Sequence, residues 1–517
     1  MSRRALCCER THAPRHSAAF LGAVLVIFAA FCGAMGVRSK PALAATIPRF
    51  ESTACWQSIP ASASARCGFL VVPENRAKAN GKTIRVAVAI VRAAGKRLDS
   101  TPLVDLDGGP GGAPILSAGL LIASGLNAHR DLIIVDQRGT YLSHPQLTCP
   151  TLDRFFLHLL GLVYDAASTR AEHVAATSAC RAQFVGNGVD LAAYNTTENA
   201  ADFADLRRAL GYKQWNIYSV SYGTDLALKL IRADPKGVRS VVLDSTVPPN
   251  LVTFPGFWVQ AGSGFGQLFA ACNGQTACRA RYGNLRERFA HLVDALESRP
   301  VTTTVPDPAT KRSVTVTIDG GALVNWLVGM SFQTPRFKDV PGLIDQLAAG
   351  KPQAIAASRL AQVTPAGFIG YGLTFGVLCR EWYPFSTYAQ IEKQGRRVFP
   401  SFPASVLAEA PQFTFITEDC KAWNVPAAPP VTREPVRSGV PTLILSGSFD
   451  GVTALPWAKA AAASLANSRV ILFPGVGHSV LYESACAQAV ANSFFAKPGA
   501  PDTKCAATLE PPVFTTR

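Results

Sequence analysis

The sequence predicts an α/β fold: a doubly wound, mostly parallel sheet with a mainly helical lid inserted into it. Three observations lead there. Short runs of apolar, β-branched residues recur at 132–135, 238–243, 442–445 and 470–473, as strands covered on both faces require. Helical spacing separates them, as in Phe203, Leu206 and Leu210 or Leu226, Leu230 and Ile231, and strands alternating with helices build parallel sheets. From about 247 to 435 that rhythm stops; helical pieces, proline-rich turns and one hairpin-like stretch from Val301 to Ile318 replace it. The expected divisions are a leader over 1–44, a first part of the core over 45–246, the lid over 247–435, and the rest of the core over 436–517.

The elements follow in order. Residues 68–72 and 84–91 are expected as two antiparallel strands, joined by a polar turn containing Asn80-Gly81, a pair that favours tight hairpins. The strand Pro102–Leu106 ends in Asp107-Gly108-Gly109-Pro110-Gly111-Gly112, and the strand at 132–135 runs into Asp136-Gln137-Arg138-Gly139. Residues 145 to 195 carry helical patches and Cys149 and Cys180, and form an excursion from the core. A helix opens at Thr196-Thr197-Glu198 and stops at Gly211, which suits a helix end. Trp215 to Val220 is a strand that turns sharply at Ser221 and passes straight into a helix. A further strand ends at Asp244. After the lid, the strand at 442–445 ends at Ser448-Phe449-Asp450, and an alanine-rich helix runs from Pro456 to about Leu465. The last strand leads to Gly475-Val476-Gly477-His478, with a closing helix from about Val480.

Composition narrows the function. With 48% hydrophobic and 16% charged residues over 517 positions, the chain has the balance of a folded globular protein. The net charge of +15 is spread without a basic stripe, so nucleic acid is not an expected partner. At the N-terminus a basic stretch through Arg15 and His16 precedes the apolar run Ala18–Gly36, and Ala42-Leu43-Ala44 follows. This is the pattern of a cleaved export signal, and the expected location is secreted or periplasmic. The alternative is a membrane anchor formed by residues 18–36, if the leader stays uncleaved. Of thirteen cysteines, ten follow the leader: Cys55, Cys67, Cys149, Cys180, Cys272, Cys278, Cys379, Cys420, Cys486 and Cys505. An even number in an exported chain favours disulfides. Nearest-neighbour pairing is expected, each pair stapling one local excursion. Their spacing matches no metal site.

Ser221 sits in Ser219-Val220-Ser221-Tyr222-Gly223, close to the G-x-S-x-G elbow that exposes a serine hydroxyl at the top of a sheet. A serine hydroxyl is a weak nucleophile and needs a base beside it. Beyond the leader the histidines are His129, His144, His158, His173, His291 and His478. Only His478 follows a buried strand in a glycine-bracketed loop; the others read as surface groups. Asp450, at the end of the preceding core strand, completes the order Ser…Asp…His. Asp244 is the competing acid, and Asp136 precedes the elbow and breaks that order. The oxyanion donors expected are the backbone N–H groups of Tyr222 and of Gly109, with Gly108 as second choice. The glycine loop lacks the G-K-[ST] ending of a phosphate loop. No metal or organic cofactor is implied.

These residues together resemble the α/β-hydrolase serine peptidases of the prolyl iminopeptidase and tripeptidyl aminopeptidase branch. The carrying stretches are Gly108 to Gly112, Asp136 to Thr140, Ser219 to Thr224, Leu243-Asp244, Leu445 to Asp450 and Gly477 to Ser479. From about 410 onward the chain is similar to the tripeptidyl-aminopeptidase-like C-terminal region of that branch. Asp107 departs from the His usual in iminopeptidases, and Ser219 from the more common Gly. The resemblance implies an exported serine hydrolase that releases short peptides from a free N-terminus. It also implies a carboxylate near the lid for the substrate ammonium, with Glu381 as first candidate and Glu198 as second. The competing expectations are an esterase or lactonase on the same residues, and a catalytically idle binding protein. The sequence leaves oligomeric state open.

Overall fold

The computed structural model describes residues 47–78, 81–98 and 100–516. The expected leader, its apolar run and Asn80 lie outside the described residues. Among the described residues seven strands come before the insertion: β1 (Arg49–Thr53), β2 (Ala65–Pro73), β3 (Thr83–Val91), β4 (Leu103–Leu106), β5 (Leu132–Asp136), β6 (Trp215–Val220) and β7 (Val238–Asp244). Within the insertion, β8 (Val301–Pro306) and β9 (Ser313–Ile318) form a separate antiparallel pair. The main sheet resumes with β10 (Thr442–Gly447) and β11 (Ser468–Phe473).

Its order is β1-β2-β3-β5-β4-β6-β7-β10-β11. The pairs β1·β2, β2·β3 and β3·β5 are antiparallel, and every pair from β5 onward is parallel. The doubly wound, mostly parallel sheet expected from the sequence is thus present. Alternation along the strands divides the apolar residues between two faces. Trp215, Ile217, Val241, Leu243 and Ile444 point to one core, and Tyr218, Val220, Val242, Leu443 and Leu445 to the other. Burial on both sides is why these strands read as unbroken apolar runs.

The helix before β6, α1 (Thr196–Ala209), starts where Asn195 accepts a hydrogen bond from the N–H of Glu198 at 3.0 Å. Such a cap satisfies a donor that the first turn leaves open. Helix α2 (Tyr222–Ala233) follows the turn at Ser221 and lies so close to β4 that a Cβ on Gly223 would come within 1.9 Å of the Leu106 carbonyl oxygen. Only glycine permits that approach. Helix α3 (Thr253–Gly274) opens the mainly helical insertion between β7 and β10.

All five expected cysteine pairs are bonded: Cys55–Cys67, Cys149–Cys180, Cys272–Cys278, Cys379–Cys420 and Cys486–Cys505. Disulfides persist in oxidising compartments. Among the described residues no helix is long and apolar enough to cross a membrane, and no group of side chains could hold a metal ion. His173, expected on the surface, is buried. Its ring stacks on Phe155 at 4.7 Å, and burial pushes it down to about 4.

Candidate active site

The turn from β6 into α2 puts Ser221 at φ 56° and ψ −128°, a left-handed region that L residues seldom adopt. Local bonds hold it there. The Ser221 N–H donates to the Asp244 carbonyl at the end of β7 (3.0 Å). Ser219, in the place usual for glycine, donates its hydroxyl to the Val242 carbonyl at 2.9 Å, so the extra oxygen is satisfied within the sheet. Gly108 faces the turn so closely that a Cβ there would lie 2.8 Å from the Ser221 Cβ and 3.4 Å from its Oγ. Gly109 adopts φ 111°. Its glycine loop is fixed from below, where Gln137 donates to the Asp107 carbonyl at 2.9 Å. From above, Gly370 N–H and the Thr374 hydroxyl donate to the carbonyls of Gly111 (2.8 Å) and Pro110 (2.7 Å).

His478 Nδ1 lies 3.0 Å from Asp450 Oδ2, and both side chains are buried. The other Asp450 oxygen accepts the N–H groups of Val452 (2.7 Å) and Thr453 (2.9 Å). The Thr453 hydroxyl donates to Oδ2 at 2.8 Å and stands 3.1 Å from His478 Nδ1. Burial works against the Asp450 charge. The His478 charge and hydrogen bond, with the donors from Thr453, outweigh it and hold the carboxyl below the ordinary range.

Asp244, the competing acid, does other work. It accepts the N–H groups of Val480 (2.9 Å) and Leu481 (2.8 Å) and the Tyr218 hydroxyl (3.0 Å). Ser479 N–H donates to the hydroxyl of Ser245 at 2.9 Å. The bonds therefore join His478 to Asp450 directly, and fasten the loop after His478 to the strand end that also holds Ser221. Asp136 is likewise structural, accepting from the N–H groups of Ile115 and Leu142, both at 3.0 Å.

Two family models match the chain: an alpha/beta hydrolase fold over residues 101–315, and a TAP-like protein over residues 409–506. The chain has the α/β-hydrolase fold. A tripeptidyl aminopeptidase of Streptomyces coelicolor is 32% identical over 194 residues, 36% of this chain and 36% of its own. A serine protease Hip1 of Mycobacterium bovis is 30% identical over 245 residues, 45% of this chain and 46% of its own. The chain thus spans less than half the length of these relatives. Among solved structures, a proline iminopeptidase of Mycobacterium smegmatis aligns over 83% of this chain and 98% of its own, at TM-score 0.37 and 15% identity.

Neither carboxylate expected at a substrate amine is free for that task. Glu381 is buried in the π-helical turn Leu378–Trp382. One of its oxygens accepts the Thr196 N–H at 2.7 Å and the other the Lys229 ammonium at 2.5 Å. Lys229 also donates to Asp225 at 3.1 Å. A buried ammonium needs such partners, so Glu381 serves the interior. Glu198 is committed to Arg76, accepting from its N–H at 3.1 Å and its guanidinium at 2.6 Å. What the sequence reading missed are the insertion residues Ser331 and Phe332. The Ser331 carbonyl accepts the His478 N–H at 2.6 Å and its hydroxyl oxygen accepts the Gly451 N–H at 2.9 Å. No local pattern marks them, because their partners lie more than a hundred residues away.

The buried carboxyls of this protein make its stability depend on pH. Burial pushes Asp136 up to about 7 and Asp244 up to about 6, despite the N–H groups that each accepts. With folded values above the unfolded one of 3.8, the native state binds protons that the unfolded state has released. Stability then falls as pH rises from about 4 to about 7, by about 3 kcal/mol for Asp244 alone, at 1.36 kcal/mol per unit. Asp450 acts in the opposite sense, losing its contribution as pH falls below about 4. A series of thermal melts should show Tm higher near pH 5 than at pH 8. A flat or rising trend would contradict this assignment.

Proposed function

We propose that the hydrolase is an exported serine aminopeptidase that removes short peptides from a free N-terminus through an acyl-enzyme. The observation that carries this reading is the hydrogen bond between His478 Nδ1 and Asp450 Oδ2, in a fold that presents Ser221 on a strained strand-to-helix turn. The peptidase relatives and the disulfides support the substrate class and the export.

Asp450 keeps the proton on His478 Nδ1, which leaves Nε2 as the acceptor. His478 takes the proton of Ser221 as Oγ attacks the scissile carbonyl. Charge on the carbonyl oxygen is met by the N–H groups of Tyr222 and Gly109, and the N-terminal end of α2 adds its dipole. His478 then gives the proton to the departing amine, and a water molecule hydrolyses the ester by the same relay. The inserted segment over 247–435 covers this rim and limits the length of peptide admitted. Recognition of the free amine is left to groups other than Glu381 and Glu198.

Aminoacyl and tripeptidyl arylamides, their N-acetylated forms, and short acyl esters form the deciding panel. Cleavage of the free-amine arylamides should fall at least about tenfold on acetylation, as expected when a site loses a charged contact. Equal turnover of blocked substrates, or turnover of esters alone, would overturn the aminopeptidase reading in favour of an esterase.

A further inference from the structure

We infer that Phe332 forms the apolar wall of the leaving-group subsite, and that the enzyme favours a large apolar or aromatic residue just after the scissile bond. This rests on reading His478 as the proton carrier. The Phe332 ring stands edge-on to the His478 imidazole, with centroids 4.7 Å apart and planes at 64°. Phe332 is 45% exposed, whereas His478 is 2% exposed. The phenyl group is therefore what a molecule arriving at that side of the imidazole meets first.

Phe332 is held in place. The Ser331 carbonyl accepts from His478 N–H and its hydroxyl oxygen from Gly451 N–H. Two residues further, the Thr334 hydroxyl oxygen accepts from Gly477 N–H at 3.0 Å. A Cβ on Gly477 would lie 2.1 Å from the Ser331 carbonyl oxygen, which shows how closely the two backbones meet. Phe337 packs edge-on against Phe449 at 5.1 Å, beside Asp450. The turn that carries Phe332 is thus fastened to the loops of both Asp450 and His478, and its ring has a fixed place beside the base.

That place selects one half of the substrate. When the tetrahedral intermediate collapses, the C–N bond breaks and its electron pair stays on nitrogen. That nitrogen takes the proton from His478 Nε2, since Nδ1 faces Asp450 and Thr453. It must therefore lie against the imidazole, and the residue attached to it lies beside whatever flanks that ring. The acyl half stays with Ser221 and the glycine loop. Phe332 thus touches the leaving group, and an apolar side chain there covers the exposed phenyl face.

The test uses the full chain and peptides that share one acyl half but carry Phe, Leu, Ala or Gly after the scissile bond. Wild type should show kcat/KM for Phe at least about tenfold above Gly, the scale of a filled apolar pocket. Phe332→Ala should remove most of that ratio, mainly through KM, and Phe332→Leu should restore part of it. Equal losses on all four peptides would reduce Phe332 to a support for His478 and overturn the inference, as would a wild type indifferent to the leaving residue. If Phe332→Ala fails to fold, Phe332→Leu carries the test: a Phe-to-Gly ratio undiminished in that variant overturns the inference. Labelling by a fluorophosphonate separates the two levels. A wild type that labels yet shows no preference sinks only the Phe332 assignment, and one that never labels sinks the Ser221–His478 reading beneath it.

Discussion

Ser221→Ala should leave a folded protein whose hydrolysis has dropped by about 10⁶-fold, the scale at which serine hydrolases lose activity with their nucleophile. The backbone at 221 has positive φ, but the cost of that geometry belongs to the Cβ, which serine and alanine share. Removing Oγ therefore removes the attacking atom without adding strain, and Tm should move by only a degree or two for so small a change. The Asp244 carbonyl still receives the N–H of residue 221. Active-site titration with a fluorophosphonate should go from about one label per chain to none. Undiminished peptide cleavage by this variant would end the acyl-enzyme mechanism.

Asp450→Asn should cost about 10⁴-fold in kcat, as when a triad carboxylate becomes an amide and the imidazole takes the wrong tautomer. The surroundings dictate which way the amide sits. One Asp450 oxygen accepts two backbone N–H groups, from Val452 and Thr453, so the Asn carbonyl must occupy that place. Its NH₂ is then forced toward His478 Nδ1, where the native carboxylate accepts. The ring answers by moving its proton to Nε2, and Ser221 loses its base. Asp244→Asn makes the contrast, because Asp244 binds the N–H groups of Val480 and Leu481. It should lower stability by about 1–3 kcal/mol while keeping most of the rate per folded molecule. If Asp450→Asn retained its rate and Asp244→Asn lost it, the two carboxylates would have to exchange roles.

The inner strands of the parallel part were legible because they are covered on both faces and so carry runs such as Leu132 to Val135. The edge strand β1, Arg49–Thr53, escaped notice. It pairs only with β2, and its residues are half-buried or exposed, so its sequence has no apolar run. At the site, chain order and loop position led to Ser221, Asp450 and His478, of which His478 and Asp450 share a hydrogen bond. The partners of Glu381 were not legible, for a physical reason. Its partner Lys229 lies on the buried face of α2, where a lysine is unusual, and local spacing shows the pair Asp225–Lys229 but not the third member. Ser331 and Phe332 were invisible for a related reason: contacts with loops more than a hundred residues away leave no periodic trace.

The five disulfides join cysteines only 12, 31, 6, 41 and 19 residues apart, and none of the spans overlaps another. A chain emerging N-terminus first can close each bridge before the next pair appears. Among the described residues every bridge is therefore local, and each closes its own loop without crossing another.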